Sequence, residues 1–171
     1  PVKLDPDAEA NTLCRNLPFL LDAQCADAFV CPTRFQAEQL PDWMHSRTTV
    51  LHDGVDMALH RPMVEDDAPF SADALPENAP IVTYATRGME PTRGFPQAMR
   101  AIHKALDKHE DAHAVIAGTD TVHYGSKRKE GEGWQAQMME ETGLDPSRVH
   151  FVGRLTRADY AALLQRSSAH I

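Results

Sequence analysis

From residue 81 onward, apolar runs of strand length alternate with stretches in which apolar residues recur every three or four positions. "IVTYAT" predicts a strand. Phe95, Met99, Ile102 and Leu106 follow at spacings of 4, 3 and 4, which is one face of a helix whose first turn accommodates Pro96. "AHAVIAG" predicts a second strand, and the polar, glycine-containing "TDTVHYGSKRKEGEG" a long loop. Trp134, Met138 and Met139 then lie on a helix ended by Gly143, before a third strand, "RVHFVG". In "TRADYAALLQRSS", Thr156 is a plausible N-cap with Asp159 at the third position, and Tyr160, Leu163 and Leu164 face inward. "AHI" opens a fourth strand.

Residues 11 to 62 read as helix, strand, helix, strand. "NTLCRNLPFLLDAQ" is a helix that Pro18 delays or kinks, "ADAFVCP" a short buried strand, "TRFQAEQLP" a helix with Thr33 as cap and Pro41 as stop, and "TTVLHDG" a second strand. Residues 60 to 80 hold four prolines, an acidic cluster and no sustained periodicity, the signature of an exposed linker. The expected organisation is therefore an α/β domain end over 1–59, a linker over 60–80 and a second α/β domain over 81–171. Strands alternating with helices at such short intervals imply parallel βαβ units, a Rossmann-like sheet with flanking helices. Such sheets bind ligands beyond the carboxyl ends of their strands. The loops after Thr86, Gly118 and Gly153 are then the ones to search.

Composition narrows the function classes. Apolar residues make up 42 % of the 171, enough for a real core. Lys and Arg number 17 against 25 acidic residues, a formal net charge of -8 that argues against broad binding to nucleic acid or anionic lipid. Positive charge has to act locally. No apolar stretch approaches the roughly 18–20 residues that span a bilayer, and "PVKLDPDAEA" lacks the features of a signal peptide. Cys14, Cys25 and Cys31 have no CxxC spacing and stand among apolar residues, so they read as buried free thiols of a soluble, cytoplasmic protein. A first residue other than Met, and a final "SSAHI" that looks like an interrupted strand, give the chain the look of an excised piece with an exposed strand edge prone to self-association.

The local positive charge lies in "YATRGMEPTRGFPQAMRAI". Arg87 follows the strand, Gly88 and Gly94 remove side-chain bulk where backbone could approach a ligand, and Arg93 precedes a helix N-terminus that itself favours an anion. Together they describe a phosphate cradle, since arginine grips phosphate oxygens in pairs. The alternative pairs Arg87 with Glu90 or another carboxylate and leaves Arg93 in solvent. In "VGRLTRADYAALLQRS", the turn Gly153, Arg154 and Leu155 offers a wall for a base or ribose, or is an ordinary turn. The loop from 119 to 133, with Asp120, His123, Tyr124, Ser126, Lys127, Arg128 and Lys129, is either a lid or a solvated charged loop. "HEDAH" fits the zinc pattern HExxH, but it runs from a helix end into a strand, so His109 and His113 do not share a helical face and no metal is expected. His52 ends a strand beside Asp53 and Gly54, at a turn that Asp53 would cap or that would border a cleft. Dinucleotide, P-loop and nucleophile-elbow motifs are absent from the sequence.

The ordered blocks "CPTRFQAEQLP", "TTVLHDGVDMALHRP", "TYATRGMEPTRGFPQAMRAI", "AVIAGTD" and "VHFVGRLTRADYAALLQRSSAHI" resemble the middle of a GT-B glycosyltransferase of the family 4 (group 1) type. The resemblance implies two facing Rossmann-like domains, a glycan or other acceptor on the first and a nucleotide-diphosphate sugar donor on the second. It implies sugar transfer with retention, without a metal, in polysaccharide or glycoconjugate assembly, in the cytoplasm or peripherally at a membrane. Arg87 and Arg93 stand where the family holds the donor diphosphate, although the family usually carries lysine where Arg93 stands. Gly88, Gly94 and Gly118 would border the donor, and Gly153, Arg154 and Leu155 would meet its base. The resemblance places part of the acceptor domain before residue 1 and the E-x7-E pair after Ile171, so this chain alone would be inactive. The alternative is a non-catalytic GT-B-like module that binds a nucleotide or phosphorylated metabolite.

Overall fold

The computed structural model of the chain describes residues 5–65, 67–123 and 133–171. They fall into two compact units, one ending at Val55 and one from Asp56 to Ile171.

In the first unit, α1 (Pro6–Cys25) begins well before the apolar pattern does, because the Asp5 carboxylate accepts the Asp7 N–H and Pro6 needs no donor at the first helical position. The helix continues through Pro18. Strand β1 (Phe29–Cys31) pairs in parallel with β2 (Thr48–Val50). Between them Thr33 caps α2 (Arg34–Glu38) by accepting from Gln36 N at 3.2 Å. Pro41 ends that helix but is also the N-cap of a further short one, α3 (Asp42–His45), which the periodicity does not reveal. Arg47 holds the unit together: its guanidinium lies 5.0 Å from the Phe29 ring centroid and 5.5 Å from that of Trp43, and donates to the Ala26 carbonyl at 2.6 Å. Two expectations are corrected here. The three thiols are free, but Cys14 and Cys25 are exposed and Cys31 half-buried, and Val30 of β1 is exposed. Leu13, Leu17 and Leu21, which fall at helical spacing on one face of α1, are exposed together with Phe19, and Ala23 is the helix's buried residue, so apolar neighbours are no guide to burial here.

The second unit is an α/β layer structure: β3 (Ile81–Gly88), α4 (Phe95–Lys108), β4 (His113–Thr119), α5 (Trp134–Thr142), β5 (Val149–Gly153), α6 (Arg157–Arg166) and β6 (Ala169–His170). Its four strands are all parallel, in the order β5-β4-β3-β6. The chain therefore winds outward from β3 in one direction and then returns to lie on β3's other side, which is the Rossmann order with its switch point between β3 and β6. The Phe95, Met99, Ile102 and Leu106 face of α4 is fully buried against Tyr84, Ile116 and Met138. On the opposite face Leu163 of α6 packs with Ile81, Val115 and Ala117. Thr156 caps α6 by accepting from Asp159 N, and Arg148 satisfies the free carbonyls behind α4 by donating to Leu106, His109 and Ala112.

Among the described residues of 60–80 none lies in a helix or strand, but the segment is tied to this unit. Phe70 is buried with Leu163, and Arg166 donates to the carbonyls of Phe70, Pro76 and Glu77. Within the segment, the Arg61 guanidinium and the Val64 N–H together pull the Asp67 carboxyl down to about 2.

His113 and His150 stack across β4 and β5, ring centroids 5.2 Å apart, with Nδ1 of one 2.9 Å from Nε2 of the other. Burial disfavours their charged forms, and Arg148 beside His113 adds to this, so both titrate below the ordinary imidazole range. An unfolded chain therefore takes up protons first as pH falls, and this contribution to stability is complete above about pH 6.5 and declines below it. The thermal midpoint of the wild-type chain should fall between pH 7 and pH 5, and His150→Phe, which keeps the stack and removes one titration, should make that fall shallower.

Candidate functional site

The site is built on irregularities at the carboxyl ends of three strands. Between β3 and β4 the register advances from Ala85–Ala117 to Gly88–Thr119, so Thr86 and Arg87 together oppose Gly118. Between β4 and β5 it advances from Ile116–Phe151 to Ala117–Gly153, with Val152 as the extra residue. Both neighbours of β4 thus bulge at the same level, and bulges turn side chains out of the sheet's alternation. Gly118 makes this possible: its φ is +134°, and a Cβ there would be driven into the Thr86 carbonyl oxygen. Thr119 closes the arrangement, its hydroxyl donating to the Arg87 carbonyl at 3.0 Å and its own carbonyl accepting from Met89 N. Arg87 emerges exposed from this bulge and, among the described residues, has no carboxylate partner.

The chain then makes one helical turn, Pro91–Arg93, and enters α4 through Gly94, whose left-handed φ of +72° serves as the N-cap without a side-chain hydrogen bond. Tyr84 fixes the turn by donating to the Arg93 carbonyl at 2.7 Å, and burial pushes its phenol pKa up. Arg93 stands at the helix N-terminus with its Nε 3.5 Å from Oε1 of Glu90, a carboxylate with no solvent exposure. The carboxylate considered as a partner for Arg87 is thus bound to Arg93 instead.

The other oxygen of Glu90, Oε2, accepts the His123 N–H at 2.9 Å. The His123 ring in turn bonds Thr121 Oγ1 at 3.0 Å and lies over Gly88, where a Cβ would collide with it. The space left by Gly88 is therefore taken by the protein's own loop. Asp120 receives the Gln135 N–H at 3.3 Å, capping the start of α5 from a distance. Tyr124, Ser126, Lys127, Arg128 and Lys129 lie outside the described residues.

Arg87 and Thr86 border three adjoining depressions. One, of about 1030 Å³, reaches Arg93, Gly94 and Gln97 at the start of α4. The second is polar and includes Gly118, Thr119, His123 and Arg154. The third includes Arg154, Leu155 and Tyr160. Ligand sites generally enclose roughly 300–1,000 Å³, so the first has room for a nucleotide-sized molecule. The structure thus brings Arg87, Arg93 and Gly94 to one depression, and Arg87, Gly118 and Arg154 to another, with Gly153 at the adjoining strand end. Thr119 belongs to the same ends without having been singled out from sequence, where Thr86 entered only as a strand end and Glu90 only as a possible partner of Arg87.

The remaining candidates are placed elsewhere. α4 ends at Lys108 and His113 opens β4, so His109 and His113 lie on different elements. In the first unit the turn after β2 is closed by His52, whose Nδ1 accepts the Gly54 N–H at 2.9 Å, rather than by Asp53.

Among the described residues, no helix is long and apolar enough to cross a membrane. Residues 1–59 match the family model described as the glycosyl transferase family 4 group. No curated protein matches the chain. Solved structures similar to it include a UDP-N-acetylglucosamine 2-epimerase, at 14 % sequence identity and a TM-score of 0.43, over 98 % of this chain and 40 % of that one. The chain spans less than half the length of that protein.

Proposed function

We propose that the second unit binds the diphosphate of a nucleotide-sugar donor at the switch point beyond β3, and that the chain acts in a retaining glycosyltransferase. The observation that carries this reading is the meeting of Arg87, Arg93 and the N-terminus of α4 at one depression. The family 4 match over residues 1–59 supports a transferase rather than another phosphate-binding enzyme.

In the proposed reaction the bond between the anomeric carbon and the diphosphate oxygen breaks, and the electron pair leaves with the diphosphate. The two guanidiniums and the Gln97 N–H at the start of α4 stabilise that charge, which is greater in the transition state than in the bound donor. The acceptor hydroxyl attacks from the face the diphosphate leaves, and its proton passes to a phosphate oxygen. Leu155, Tyr160 and the Arg154 backbone are assigned to the base side of the donor. No metal is required in this scheme, because the cations that meet the diphosphate are side chains.

Calorimetric titration of the chain with UDP, GDP and ADP, and with the corresponding nucleosides, tests the reading. One diphosphate is expected to bind in preference to the other two, with its nucleoside bound far more weakly or not at all. A folded chain that takes up none of the three would overturn it.

A further inference from the structure

Glu90 stands out because a fully buried carboxylate is costly unless its oxygens are engaged. It lies in the loop between β3 and α4, and its two oxygens point to different parts of the site. Oε1 faces Arg93 Nε at 3.5 Å, and Oε2 takes the His123 backbone N–H, from the loop after β4, at 2.9 Å. His123 is fixed a second time through its ring, by Thr121, whose hydroxyl bonds Thr119, which bonds the Arg87 carbonyl. One chain of polar contacts therefore runs from the Arg93 side chain through Glu90 and the loop after β4 to the Arg87 backbone carbonyl.

We propose that Glu90 is a positioning residue of the anion site, its buried carboxylate holding Arg93 at the start of α4 and the loop after β4 in a single arrangement. This rests on the reading of Arg87 and Arg93 as anion ligands. A negative charge beside a site for an anion opposes binding by Coulomb's law, so its value has to lie in orientation: Glu90 restrains Arg93 before the ligand arrives, which lowers the ordering cost on binding.

The test combines Glu90→Gln, Arg93→Ala and the double variant in the full chain, with inorganic pyrophosphate as probe and amide NMR as a second readout. Glu90→Gln, which keeps shape and removes charge, is expected to weaken pyrophosphate binding about tenfold in the wild-type background and less than twofold in the Arg93→Ala background. Equal factors in both backgrounds, or none in either, would overturn the proposal. Arg93→Ala alone, without ligand, is expected to move the His123 amide resonance, because both groups share one carboxylate. An unmoved resonance would overturn it, and this readout decides even if Glu90→Gln does not fold. If wild type binds no pyrophosphate, the anion reading fails, while a shifted His123 amide would still establish that Glu90 couples the two loops.

Discussion

Gly118→Ala is expected to lower the thermal midpoint of the second unit by about 10 °C or more and to weaken ligand binding as well. Two costs combine. A φ of +134° is one that residues with a Cβ rarely adopt, and such strain costs about 1–3 kcal/mol. The added methyl also meets the Thr86 carbonyl, a backbone atom held within β3, and forced overpacking costs about 1–3 kcal/mol more. Each kcal/mol shifts the midpoint of a domain near 100 residues by roughly 4–8 °C, and a total stability of about 5–15 kcal/mol leaves little reserve. Relief requires Thr86 to move, and with it Arg87, which shares the bulge. Circular dichroism melts and the diphosphate titration together check this. A midpoint within a degree or two of wild type would mean that the two strands do not approach as described.

The hydrophobic pattern made the second unit legible because its helices bury one apolar face each and its central strands, buried on both faces, read as short apolar runs. The face of α4 repeats at helical spacing and is buried as read, and four short apolar runs became the four strands of the sheet. The first unit was less legible because the apolar face of α1, with Leu13, Leu17 and Leu21, stands exposed, so the exposure of its thiols does not follow from periodicity, and its start at Pro6 precedes the apolar pattern. At the site, Arg87 and Arg93 were visible as charge at a strand end. Register was not. An extra residue in β3 and another in β5 have no signature in a single sequence, although a glycine at each neighbouring strand end, Gly118 and Gly153, is the nearest thing to one. The role of Glu90 was hidden because its partners come from residues as far as 33 positions away, and only the fold brings the loop after β4 back over it.

The Arg87→Ala/Arg93→Ala double variant is expected to lose about 10²–10⁴-fold in affinity for the preferred nucleoside diphosphate, and the two single variants are expected to differ in kind. Hydrogen bonds from charged donors contribute about 1.5–3 kcal/mol each, and both arginines are assigned to one diphosphate, so the sum corresponds to that range. Arg87 is exposed and has no carboxylate partner among the described residues. Its removal should weaken binding while the melt stays within about 0.5 kcal/mol of wild type, as for surface substitutions generally. Arg93, with its side chain 36 % exposed, also faces a carboxylate that has no solvent exposure. Truncating it takes a cation away from a buried charge, so Arg93→Ala should lower both affinity and stability. The solvent access of Arg93 keeps the stability loss below what a fully buried pair would show. Restoring the charge with Arg93→Lys should recover part of the affinity but not the 3.5 Å contact of Nε with Glu90, so the two losses should separate. Equal behaviour of Arg87→Ala and Arg93→Ala in both assays would mean that Glu90 does not distinguish the two cations. Undiminished diphosphate binding by the double variant would move the anion site away from the start of α4 altogether.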